Sequence, residues 1–350
     1  MVCIAAFIIL AIIGVFVAII SIFKPEVGKK YLKIFKKSWG CLWKKVRLQK
    51  CETGFKEDVK NTLLSRVIVK HPKWVKPLSV LIEIISVVIV VVAIWAILTA
   101  IKSLLALAVF GSCNVTKPSA CAFGAEVCSI DEEEPDGFFE GTIRWFTEWG
   151  EIFEAIPDKF KNYQADDYNF NYISVSGEAG ADKSVAVDIL DPGCSVCLSS
   201  YRNQKAAGFF DEYNVKLVPY AIQGADGSYK FKNSAIIVKY MFATEQVKSG
   251  VALKLLDNIF TKNNHAGISY QALFNDDYSE EDARSKLEIW LKDFGVTEGE
   301  ISKIREIAAY PEIEEKMKEN RDIVENQIHA KGIPTMLIDG QKHTGLWKSL

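Results

Sequence analysis

Cys194-Ser195-Val196-Cys197 is the part of this sequence best suited to do chemistry. It follows an apolar run, Ser184-Val185-Ala186-Val187-Asp188-Ile189-Leu190, and precedes a stretch that can be helical. Two cysteines two residues apart at a strand-to-helix turn can open and close a small disulfide ring. The positive end of the helix dipole would stabilise the thiolate of the first cysteine. The spacing therefore points to thiol–disulfide exchange. Far downstream, Gly332-Ile333-Pro334-Thr335 opens a second short apolar run. Two blander readings of the cysteine pair exist: an inert structural disulfide, or half of a zinc site. A zinc site needs two more ligands at suitable spacing. The four histidines, His71, His265, His329 and His343, show no such pattern, so no metal is expected.

The elements around this pair divide the chain of 350 residues. Residues 1–23 carry no charge and are nearly all apolar, long enough to span a bilayer as a helix. The basic residues follow this run rather than precede it, which reads as an uncleaved anchor rather than a cleavable signal. A second uncharged run, Ile84 to Ile101, lies between Glu83 and Lys102 and predicts a second span over 77–111. The loop between them, 24–76, holds 16 Lys or Arg against 4 Asp or Glu, a net of +12. The whole chain is −2 and residues 77–102 are neutral, which leaves −14 on 103–350. Positive loops stay in the cytoplasm. The expected topology has the N-terminus outside, the loop inside, and everything after about residue 111 outside, at a bacterial cell membrane. The basic loop reads as a topogenic segment touching anionic lipid rather than a nucleic-acid patch.

Under this topology Cys41 and Cys51 are cytoplasmic and reduced. The outer side oxidises, which suits disulfide chemistry. Besides Cys194 and Cys197 it holds four structural candidates: Cys3, Cys113, Cys121 and Cys128. One pairing joins Cys3 to Cys113 and Cys121 to Cys128. All three pairings of the four remain open.

Residues 112–167 form an acidic linker that contains an amphipathic helix. Phe139, Ile143, Phe146, Trp149, Phe153 and Ile156 recur there at helical spacing, with Glu148, Glu151 and Glu154 between them. This face could lie on a membrane or partner, or pack on the following domain. From 168 to 350 the texture is α/β. Strands are expected at 170–175, 184–190 and 215–222, and a helix at 195–212. Four or five helices follow within 234–330, then a strand at 335–338 ended by the Asp339-Gly340 turn. Ser279-Glu280-Glu281-Asp282 and Thr297-Glu298-Gly299-Glu300 have the form of capping boxes.

A strand ending in a two-cysteine turn, a helical insertion, and an Ile-Pro-Thr before a late strand occur here in that order. In this the 168–350 region resembles the DsbA-like branch of the thioredoxin superfamily. The resemblance implies an α/β, thioredoxin-like fold with a helical insertion, preceded here by two transmembrane helices. It implies that Cys194 is the nucleophile and Cys197 the resolving cysteine. Asp188, six residues before Cys194, matches a buried acid that passes a proton to or from Cys197. Pro334 matches a cis-proline, so that Ile333 would offer its backbone to an extended substrate, beside Ser195 and Val196. No cofactor is implied beyond the Cys194–Cys197 disulfide. The implied partners are exported proteins with cysteine pairs and a quinone-linked membrane reoxidant. Ser-Val stands where strongly oxidising members have Pro-His, which predicts a milder oxidant. Two alternatives are a reductase or isomerase, for example in cytochrome maturation, and a non-catalytic thioredoxin-like binding module.

Overall fold

The computed structural model describes residues 25–47, 73, 75–121, 126–130, 137–175, 183–224 and 226–347. The first expected span, with Cys3, lies outside the described residues. The chain divides into two compact units, Met1–Ile101 and Lys102–Leu350.

In the first unit, helix α1 (Pro25–Val46) carries much of the basic loop. Helix α2 (Val75–Phe110) is 36 residues long, and from Lys102 on it belongs to the second unit. Among the described residues it is the one helix long and apolar enough to cross a membrane.

In the second unit, helix α3 (Phe138–Ala155) packs through Ile152 and Ala155 on Ala106, Phe110 and Val115. Lys102 at the far end of the α2 sequence forms an ion pair with Glu148 of α3, and Thr116 Oγ1 donates to the same carboxylate at 2.5 Å. The pairing satisfies two groups that are both nearly buried. Phe138, Phe139, Ile143, Phe146 and Phe153 are left exposed. The helical period read from the sequence is present, but those side chains do not pack on the following domain.

The five-stranded sheet has the order β2 (Ile173–Ser174), β4 (Asn214–Pro219), β3 (Val185–Leu190), β6 (Thr335–Ile338), β7 (Gln341–Thr344). β3 and β4 are parallel, and the remaining pairs are antiparallel. β3 is central, and five of its six residues are buried. Its sequence Val-Ala-Val-Asp-Ile-Leu, apolar except for Asp188, suits a strand covered on both faces. Helix α4 (Ser195–Ala206) and the short α5 (Phe209–Glu212) make the β3-to-β4 crossover.

Between β4 and β6 the chain leaves the sheet for a block of helices. These are α6 (Ser234–Val247), α7 (Ala252–Thr261), α8 (Tyr270–Ala272), α9 (Glu280–Asp293), α10 (Glu298–Ala308) and α11 (Pro311–Asp322). α8 and α11 each continue as a π turn, Leu273–Asp277 and Ile323–Gln327. Ser279 and Thr297 cap α9 and α10 with reciprocal capping boxes. The β6–β7 hairpin turns through Asp339 (φ 48°) and Gly340 (φ 77°), both in the left-handed region that such a turn needs. A separate two-stranded ribbon pairs β1 (Cys128–Ser129) with β5 (Gly332–Ile333).

Candidate active site

β3 ends at Leu190, and Asp191-Pro192-Gly193 carries the chain into α4. Cys194 is the N-cap of α4, and its sulfur accepts from the Cys197 backbone N–H at 3.4 Å. That places Sγ at the positive end of the helix, where negative charge on sulfur is favoured.

Asp191 holds this turn. One carboxyl oxygen accepts from the Gly193 N–H at 2.7 Å and from the Ser234 hydroxyl, and the other accepts from the Ile222 N–H at 2.7 Å. Burial pushes the Asp191 carboxyl up to about 6, and these donors work against that. Gly193 has no room for a side chain: an added Cβ would sit 2.4 Å from Phe231 Cβ. The helical block clamps the turn from the other side. Gln271 Nε2 donates to the carbonyls of Pro192 (2.8 Å) and Cys194 (2.9 Å), and Asn275 Nδ2 donates to Gly193 O at 2.8 Å. The insertion therefore fixes the backbone of the cysteine turn.

Cys197 is buried and free. Its sulfur accepts from the Asp191 N–H at 3.4 Å. Burial pushes its thiol well up, and the nearby Asp191 and Asp188 charges push the same way against that hydrogen bond. Asp188 on β3 is fully buried, and neither of its oxygens has a hydrogen-bond partner. Burial raises its carboxyl to about 7. A carboxyl poised near neutrality beside a buried thiol is able to take or return a proton there.

The Ile333–Pro334 bond is cis, and Ile333 O lies 3.7 Å from Cys194 Sγ. Ser195 is exposed and Val196 half-buried beside them. The structure thus brings Cys194, Cys197, Ile333 and Pro334 into one site, with Asp188 beneath it.

The disulfides differ from the pairing set out above. Cys113 is bonded to Cys121, and Cys128 to Cys194. Cys113 is therefore not joined to Cys3, nor Cys121 to Cys128, and Cys194 does not close on Cys197 in this state. The cause is the β1–β5 pairing. Cys128 stands opposite Ile333 and Ser129 opposite Gly332, which carries Cys128 to the sulfur of Cys194. The sequence reading missed Asp191, Gln271 and Asn275, and gave Cys128 only a structural part. The Asp-Pro before Gly193 was the one local sign of a constrained turn.

The two parallel strands β3 and β4, the antiparallel β6–β7 edge, the cysteine turn after β3, the helical block before β6 and the cis-proline opposite the turn form one recognisable topology. The topology is thioredoxin-like, with a helical block inserted between β4 and β6. No family model matches the sequence, and no curated protein matches it. Similar solved structures include the thiol-disulfide exchange protein alpha-DsbA2 from Wolbachia pipientis. Its identity is 18%, over 59% of this chain and 92% of that one, with a TM-score of 0.36. Proteus mirabilis ScsC in a transitional conformation is 12% identical over 59% of this chain and 84% of that one, TM-score 0.37. The cytosolic disulfide reductase DsbM from Pseudomonas aeruginosa with GSH is 16% identical over 45% of this chain and 88% of that one, TM-score 0.33. In the present chain Ser195-Val196 stands between the two cysteines, and strand β1 lies against β5.

Proposed function

We propose that this chain is a membrane-anchored thiol–disulfide oxidoreductase that oxidises cysteine pairs in exported proteins through Cys194 and Cys197. One observation carries this reading. The Cys194 sulfur, at the N-cap of α4, is bonded to a cysteine on an extended segment that pairs with Ile333 next to the cis-proline. That is the arrangement a mixed disulfide with an extended substrate requires.

In the proposed reaction the site starts as a Cys194–Cys197 disulfide. A substrate thiolate attacks Cys194 Sγ, the Cys194–Cys197 bond breaks, and Cys197 leaves and takes up a proton, for which Asp188 is the near donor. A second substrate thiolate then attacks the sulfur joined to Cys194. The substrate leaves as a disulfide, and its two electrons stay on the Cys194/Cys197 dithiol. A quinone-linked membrane partner would remove them. Helix α2 would hold the site near that partner and near emerging chains, raising its effective concentration.

The test uses the full-length Cys128→Ser variant in detergent micelles, oxidised, with a fluorescent dithiol peptide. Stoichiometric peptide oxidation that disappears in Cys128→Ser/Cys194→Ser supports the proposal. A Cys194–Cys197 disulfide that leaves the peptide reduced contradicts it. Reduction of a disulfide peptide by the dithiol form, without oxidation of the dithiol peptide, would assign the opposite direction.

A further inference from the structure

As folded here, the site cannot meet a substrate. Cys194 is 0% exposed, and the chain's own segment 126–130 covers it. That segment is built into the groove. Val127, Cys128, Ser129 and Ile130 are all buried. Ile130 N–H donates to Lys331 O at 3.2 Å, extending the β1–β5 ladder by one bond. Lys230 Nζ donates to Ser129 O at 3.1 Å, and Leu346 N–H to Glu126 O at 3.0 Å. Gly332 makes the approach possible, because a Cβ there would lie 2.8 Å from Val127 and 3.3 Å from Cys128 O. The segment takes the one backbone edge, at Ile333, that an extended substrate would need.

The geometry points to Cys128 as a third redox cysteine, an internal substrate that closes the groove as an intramolecular mixed disulfide and is released by exchange with Cys197. This rests on the proposed reaction at Cys194. The exchange balances within the chain. The Cys197 thiolate attacks Cys194 Sγ, the Cys194–Cys197 bond forms, and the Cys128–Cys194 bond breaks. Cys128 leaves as a thiolate and takes a proton equal to the one Cys197 gave up. One disulfide and one thiol are present before and after, so no outside oxidant or reductant is needed. Release of Cys128 frees β1 from covalent attachment and lets an external cysteine pair compete for Ile333. A tethered competitor acts at an effective concentration of about a millimolar, so it should slow an external peptide at tens of micromolar by roughly tenfold or more.

The test uses the full chain in detergent micelles, in glutathione buffer, with acid quenching, alkylation and peptide mapping. Wild type is expected to hold two isomers, Cys128–Cys194 with free Cys197 and Cys194–Cys197 with free Cys128. Cys197→Ser should hold only the first. Cys128→Ser should oxidise the dithiol peptide roughly tenfold faster than wild type. Gly332→Val, which keeps all three cysteines but blocks docking of Val127, should shift the resting protein toward Cys194–Cys197. A wild type that contains only Cys194–Cys197, with the rate unchanged in Cys128→Ser, would overturn the inference and leave the oxidoreductase standing. A Cys128–Cys194 bond that never passes to Cys197 would overturn it also. A Cys128→Ser protein with an intact Cys194–Cys197 bond and no peptide oxidation would overturn both.

Discussion

Cys128 stands directly opposite Ile333 in an antiparallel pair, while its sulfur is bonded to Cys194. One residue of the chain thus meets both halves of the site, the backbone edge beside the cis-proline and the sulfur at the head of α4. A thiol partner held by its backbone and its sulfur together is oriented for exchange before any encounter. The chemistry proposed for Cys194 is therefore set out within the molecule itself.

The buried carboxyl of Asp188 gives a pH dependence of known sign. Its folded value of about 7 exceeds the 3.8 it has in the open chain. Between those values the folded state keeps a proton that the unfolded state has lost. The stabilisation is complete at low pH and disappears as pH rises toward 7, by roughly 4 kcal/mol if Asp188 acted alone. Asp191, raised to about 6, adds in the same direction. The melting temperature of the full chain in micelles should fall from pH 5 to pH 8, and fall less in Asp188→Asn. Parallel profiles for the two proteins would refute this. The same variant should slow the exchange of Cys197 by roughly 10²-fold, read by quenched-flow alkylation.

Gln271 tests the helical block as a clamp. Gln271→Leu removes the Gln271 donor from the buried Pro192 carbonyl, while the Cys194 carbonyl keeps the Leu198 N–H at 3.1 Å. Losing the donor at Pro192 costs about 1–3 kcal/mol. The expected result is faster hydrogen exchange across 191–197, with α9 and α10 unchanged, by mass spectrometry. Uniform loss of protection across the domain would show a global role instead.

Gly193 tests the packing of the turn. Gly193→Ala should destabilise by about 1–3 kcal/mol, because its Cβ would overlap Phe231 Cβ and Cγ at 2.4 and 2.5 Å. Phe231→Ala does not rescue it, because the nearest clashing atom is Phe231 Cβ, which alanine retains. The midpoint of denaturation of the single and double variants decides this. Full rescue would contradict the packing described.

Much of this arrangement was legible in the sequence, and the limits have physical causes. The Val185–Leu190 strand is apolar but for Asp188, as a central strand is, and the boxes at Ser279 and Thr297 are local signals for local structure. β7 reads Gln-Lys-His-Thr and lies at the sheet edge, where no apolar face is imposed, so its sequence carries no strand pattern. β1 is two residues long, too short to show any period, and its partners lie 66 residues on at Cys194 and far downstream at Ile333. Asp191 and Gln271 act through hydrogen bonds to backbone, which leave no residue pattern of their own. The apolar spacing of α3 was visible, but spacing does not tell which surroundings cover it: Phe139, Ile143, Phe146 and Phe153 point outward.

Val196 tests whether the dipeptide between the cysteines sets the oxidising strength of the site. A side chain with no charge beside Cys194 does nothing to hold its thiolate. In a Cys128→Ser/Cys197→Ser background, Val196→His should lower the Cys194 thiolate pKa by about one or more, read by absorbance at 240 nm. No change would place the control of Cys194 in the helix terminus alone.

The central claim is tested most directly by equilibrating the full chain in micelles with glutathione buffers, then trapping thiols and reading Cys128, Cys194 and Cys197 by mass. The account predicts that Cys194 passes between disulfide and thiol at a potential between about −120 and −200 mV, with Cys197 as its partner on the way. A Cys194 that stays bonded to Cys128 in every buffer would make that bond a structural bridge, and the oxidoreductase reading would fall.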